Sequence, residues 1–67
     1  MTEVPFQTID VGQEFIHVRP YTKRMDKCVK IKPFWANFID QRRVYNAVTS
    51  QGQCYFFEPG DLVHIHK

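Results

Sequence analysis

The sequence predicts an all-β domain: five short antiparallel strands forming a strongly curved sheet or a partly open barrel of the SH3/OB kind, with one short helical turn or loop insertion. Three observations carry this expectation. Runs rich in β-branched and aromatic residues recur at close intervals, turn chemistry separates them, and no segment sustains a helical period beyond about two turns. The 67 residues form one domain over 1–67, and a flat sheet of this size would leave its apolar face in water, so curvature is expected. Hydrophobic residues at 43% and aromatics at 15% supply enough apolar surface to fold.

Residues 1–5 read as a loose lead-in. Phe6 and Ile9 then stand three apart, as in one 3₁₀ turn, and Gly12 follows where the backbone needs positive φ. The first strand, over 14–19, is apolar at Phe15, Ile16 and Val18 and is ended by Pro20, which has no N–H for a ladder. A polar connection over 21–26 leads to a strand over 27–32, where Val29 and Ile31 point one way and Cys28, Lys30 and Lys32 the other, giving a wet, basic face. Pro33 stops this strand. Residues 34–43 lack alternation and read as a wide loop or single helical turn with an apolar stripe of Phe34, Trp35, Phe38 and Ile39. The β-branched and aromatic run over 44–49, the turn at 50–53 and the strand over 54–57 form a hairpin, with Cys54 entering the core. Pro59-Gly60 turns the chain into a last strand over 62–66, in which Val63 and Ile65 alternate with His64 and His66.

The net charge of +2 conceals a strong segregation. Residues 1–18 carry −3, residues 19–43 carry +6 from eight basic and two acidic groups, and residues 44–67 carry −1. Such a middle third makes a local positive field that attracts phosphates or an acidic protein, whereas a bland reading makes it a solvated strand and loop. Two cysteines are too few for a disulfide framework, no secretory signal is read at the start, and no apolar run approaches the roughly 20 residues of a membrane span. A cytoplasmic location, without membrane association, is therefore expected.

The pattern Phe6-x-x-Ile9-x-x-Gly12-x-x-Phe15, followed by Val29-Lys30-Ile31, Asn46-Ala47-Val48 with Gly52, Phe57, Pro59-Gly60-Asp61 and Val63, resembles small, mostly uncharacterised proteins encoded by tailed bacteriophages. The likeness runs over about residues 6–65 and rests on strand starts and turns. A ten-residue aromatic-rich insertion between Ile31 and Val44 departs from the family pattern. The resemblance implies a small β-barrel of viral origin, located in the host cytoplasm, and carries no catalytic residue.

Catalytic chemistry finds little footing in the residues. His64 and His66 share a strand face, with His17, Cys28 and Cys54 as further donors, but no close ligand pair such as Cys-x-x-Cys is present and no metal or other cofactor is expected. Neither cysteine has a local partner signature for a nucleophile. The carboxylates Asp10, Glu14, Glu58 and Asp61 flank turns, where they suit capping, and no glycine-rich phosphate loop exists. Enzyme activity is not expected. A basic series of Arg19, Lys23, Arg24, Lys27, Lys30, Lys32, Arg42 and Arg43 is instead interleaved with Tyr21, Phe34, Trp35, Phe38 and Tyr45.

That interleaving suits two partners. Trp, Tyr and Arg dominate interface hot spots, and single-stranded nucleic acid is held by stacking on aromatics while cations track its backbone. The expected binding surface comprises Lys23, Arg24, Lys30, Lys32, Phe34, Trp35, Phe38, Arg42 and Arg43, with Phe34 and Trp35 as anchors. A host protein is the expected partner and single-stranded nucleic acid the alternative, with homodimerisation through edge strands a further expectation. The competing structural reading has Phe34, Trp35 and Phe38 fold back to plug one end of the barrel.

Overall fold

The computed structural model describes residues 2–38 and 41–66, and of Phe38 the backbone alone. Ile39, placed above in the apolar stripe, and Asp40, counted in the charge of the middle third, lie outside the described residues. Six strands are described: β1 (Thr2–Pro5), β2 (Glu14–Val18), β3 (Met25–Phe38), β4 (Gln41–Thr49), β5 (Cys54–Tyr55) and β6 (Leu62–Ile65), with a 3₁₀ turn at Phe6–Thr8. They form one antiparallel sheet in the order β1-β6-β2-β3-β4-β5.

The sheet is open, with β1 and β5 as its edges, and is neither closed nor strongly curled. This corrects the expectation of a five-stranded, strongly curved sheet or barrel. The sixth strand is the expected loose lead-in, which pairs with β6 through Thr2↔Ile65, Glu3↔His64, Val4↔Val63 and Pro5↔Leu62. Curvature is unnecessary because irregular chain covers one face of the sheet. The 3₁₀ turn and the segment over 56–61 lie there, tied together by Phe6 N–H donating to Asp61 O at 2.7 Å and Gln7 N–H to Pro59 O at 3.0 Å.

Between this cover and the sheet lies the core of Phe6, Ile9, Phe15, Cys28, Ala47, Phe57, Val63 and Ile65. Its centre is aromatic. Phe6 stacks on Phe57 at 5.2 Å between centroids, and Phe15 meets both edge-on, at 5.6 Å from Phe6 and 5.5 Å from Phe57. Each ring comes from a different segment, so the cluster joins the turn, the sheet and the cover. His17 lies against Phe57 at 5.1 Å, and burial pushes its imidazole below the ordinary 6.5 despite the opposing pull of Asp26.

The alternation in β3 is real, but its faces are reversed relative to the sequence expectation. Cys28 is fully buried opposite Phe15 and Thr49, and Lys30 shares its face opposite Ala47. The Lys30 stem spans the core edge, and its ammonium donates to Ile9 O at 2.6 Å and Phe6 O at 3.4 Å while standing 4.5 Å from the Phe6 ring centre. The face read as wet and basic is therefore the core face. Cys54 is reversed as well. Pairing of Cys54 with Val48 and of Tyr55 with Ala47 directs Tyr55 toward the core and leaves Cys54 exposed.

Pro33 does not stop β3. The register with β4 shifts between Lys30 and Phe34, so that Lys30 faces Ala47 and Phe34 faces Tyr45, and β2 pairs only with the first part of β3. A proline at an irregular, unpaired edge removes no ladder bond. Residues 34–38 and 41–43, expected as a loop or helical turn, are strand instead. Beyond the irregularity, β3 and β4 continue as a two-stranded ribbon, here called the arm, with pairs Phe34↔Tyr45, Trp35↔Val44, Ala36↔Arg43, Asn37↔Arg42 and Phe38↔Gln41.

Candidate interaction surface

The arm carries its side chains on two faces, because neighbours along a strand alternate and cross-strand partners share a side. Phe34, Ala36, Arg43 and Tyr45 occupy one face, and Trp35, Asn37, Arg42 and Val44 the other. On the first face Phe34 lies 5.6 Å from Tyr45. On the second, the Arg42 guanidinium sits 4.4 Å from the Trp35 ring centre. This diagonal contact holds the indole from one side while 60% of Trp35 stays accessible, and Phe34 is 40% accessible. Neither residue plugs the core. The Phe38 side chain lies outside the described residues.

The arrangement divides the residues expected to form one surface. Phe34, Trp35, Arg42 and Arg43 lie together on the arm, where Arg43 also donates to Gln41 Oε1 at 3.1 Å, and Lys32 stands in the irregular stretch that leads into it. Lys23 and Arg24 sit at the other end of β3, in a turn closed by Arg19 N–H donating to Arg24 O at 2.8 Å and Lys23 N–H to Arg19 O at 2.9 Å. At about 3.3 Å per residue, a strand path of roughly 36 Å separates Arg24 from Trp35. Lys30, held against the 3₁₀ turn, faces a groove at the base of the arm.

Asn46, quoted above only within the Asn-Ala-Val strand of the resemblance and given no role there, carries a well-defined polar contact near the arm. It is 7% exposed, donates from Nδ2 to Phe57 O at 2.8 Å and accepts at Oδ1 from Phe57 N–H at 2.9 Å. This pair of hydrogen bonds ties the cover segment to β4 below the arm. A lone asparagine in a β-rich run carries no local signal for a partner eleven residues away.

The remaining reactive groups are scattered. His64 Nε2 lies 3.5 Å from Glu3 Oε2 across β1 and β6, and its buried Nδ1 has no hydrogen-bond partner among the described residues. Among the described residues, no three His, Cys, Asp or Glu side chains come together as a metal-holding group. Burial, reinforced by Asp26, pushes the Cys28 thiol up to about 11. In the folded protein at neutral pH, iodoacetamide is therefore expected to alkylate Cys54 and spare Cys28. Peptide mass spectrometry over a time course checks this, and equal rates at the two thiols would contradict the burial assignment.

No family model, curated protein or solved structure matches this chain. No helix among the described residues is long and apolar enough to cross a membrane.

Proposed function

We propose that the protein is a non-catalytic binding module, phage-encoded as the sequence resemblance suggests, that occupies a host protein through the arm. The exposed Trp35, braced on one side by Arg42, carries this reading. A large, rigid aromatic beside a guanidinium is the chemistry from which interface hot spots are built, and here it stands on a ribbon that continues two strands of the sheet. Phe34 supplies a second anchor on the other face of the ribbon, and Arg42 and Arg43 on the described part of the arm, with Lys32 just before it, make this region basic. An acidic partner surface is the natural complement.

Single-stranded nucleic acid is the second reading, favoured by those same three cations. The Arg42 contact leaves a base only one of the two indole faces for stacking. Salt dependence separates the two. A phosphate-driven complex weakens with a log-log slope of roughly −0.7 per contacted phosphate, and absence of single-strand binding at low salt removes this version.

For the protein-partner reading, the test is Trp35→Ala. Loss of an exposed side chain and one cation–π contact is expected to cost only about 0.5–1 kcal/mol of stability. Loss of a hot spot lowers partner affinity by at least about 2 kcal/mol, or some thirtyfold. Quantitative capture from host lysate with wild-type and variant bait, alongside thermal melts, measures both effects. Capture unchanged by Trp35→Ala with folding intact would remove the claim.

A further inference from the structure

At the base of the arm lies a groove of about 420 Å³ whose walls include Phe56, Phe57, Pro33 and Pro59, and whose lining includes Lys30. Phe56 is 51% exposed and, with the two prolines beside it, gives the groove an apolar wall open to solvent. The polar groups of the groove are mostly satisfied, since both ends of the Asn46 amide are bound to Phe57. Lys30 is different. Two of the three ammonium donors have carbonyl partners, and the ring of Phe6 lies beneath, yet no carboxylate among the described residues pairs with the charge. The ion pairs of the described residues join Arg19 to Asp26, Lys27 to Glu14 and His64 to Glu3, and none includes Lys30. A half-buried cation without an anion is an incomplete electrostatic arrangement, which an incoming anion would complete.

From this combination we infer that the groove is a carboxylate site for an acidic segment of a partner protein, one in which an Asp or Glu stands beside an apolar side chain. The carboxylate meets Lys30 while the apolar group covers Phe56 and the prolines. A single ammonium with one donor to spare matches one carboxylate oxygen, whereas a phosphate favours several converging N–H groups. Position adds to the chemistry. Pro33 borders the groove and directly precedes Phe34, so a protein gripped by the basic arm can run an acidic segment into it. The inference deepens the protein-partner reading by naming the chemistry of the partner segment.

The test uses the synthetic peptide acetyl-Phe-Glu-Phe-Glu-amide and its glutamine counterpart, titrated into the isotope-labelled full chain and followed by amide NMR shifts. The acidic peptide is expected to move the amides of Phe6, Lys30, Phe56 and Phe57, and the glutamine peptide to bind at least about tenfold more weakly, as loss of one charge-assisted bond predicts. Lys30→Gln should reduce affinity by a similar factor. Because Lys30 also secures the 3₁₀ turn, Phe56→Ser, a change at an exposed side chain, provides an independent variant with a several-fold loss expected. Equal binding of the two peptides, shifts confined to the arm, absence of shifts, or shifts with oligothymidylate but not with the acidic peptide would each overturn the inference. In Trp35→Ala the peptide-induced shifts at Phe6, Lys30, Phe56 and Phe57 should persist even where any shifts on the arm are lost, so failure of the groove and failure of the arm give different results.

Discussion

Phe15→Ala is expected to leave the chain largely unfolded at room temperature. Phe15 is 2% exposed and meets the edges of Phe6 and Phe57, so truncation removes the ring through which the sheet holds its cover. Removing a buried phenylalanine costs about 3–5 kcal/mol, and a core in a domain below about 70–80 residues rarely supplies more than about that amount. The loss equals the stability available. Collapse around the cavity offers little relief, because the stacked pair Phe6 and Phe57 is held in place by the backbone bonds between the turn and the cover. Urea denaturation followed by circular dichroism checks this. A cooperative transition within about 1 kcal/mol of the parent would show that the three-ring cluster is not the centre of the fold.

Asn46→Ala carries the second large effect, through polar rather than apolar loss. The substitution strands the N–H and the carbonyl of Phe57, both of which bond to the amide, and each buried unsatisfied group costs about 1–3 kcal/mol. A loss of about 2–4 kcal/mol is expected, reduced if water enters to serve the freed groups. Asn46→Asp is informative beside it: the acceptor for Phe57 N–H is kept, while a carboxylate is set against the Phe57 carbonyl. Both variants should loosen the segment over 56–61 before the rest of the sheet, so hydrogen exchange at Phe57 should accelerate more than at Cys28. A change below about 0.5 kcal/mol in Asn46→Ala would mean that this amide bridge contributes little to the fold.

Strand starts were legible where local chemistry and tertiary role agree. Phe6 and Ile9 form the expected 3₁₀ turn, Gly12 has φ 93°, and strands begin at Glu14 and Leu62 as the turns before them require. Lys30 misleads because its charge signals solvent, while its long stem and backbone partners let it lie on the core face. The aromatic segment misleads for another reason: an isolated ribbon exposes both faces, so Phe34 and Trp35 can be adjacent and apolar without the alternation that a half-buried strand imposes. The open sheet was hidden because its cover is irregular chain, which leaves no periodic signature. The arm was visible as a composition anomaly and its basic groups as a charge run. The separation of Lys23 and Arg24 from it depends on the length of β3, which Pro33 concealed.

Trp35 is the only tryptophan of the chain, so its fluorescence reports directly on the exposed arm from which the proposed function is argued. The account predicts a red-shifted emission, characteristic of an indole in water, that iodide and acrylamide both quench readily in the folded protein. A blue-shifted emission inaccessible to iodide, with quenching restored only on unfolding, would place Trp35 in a core and contradict the account.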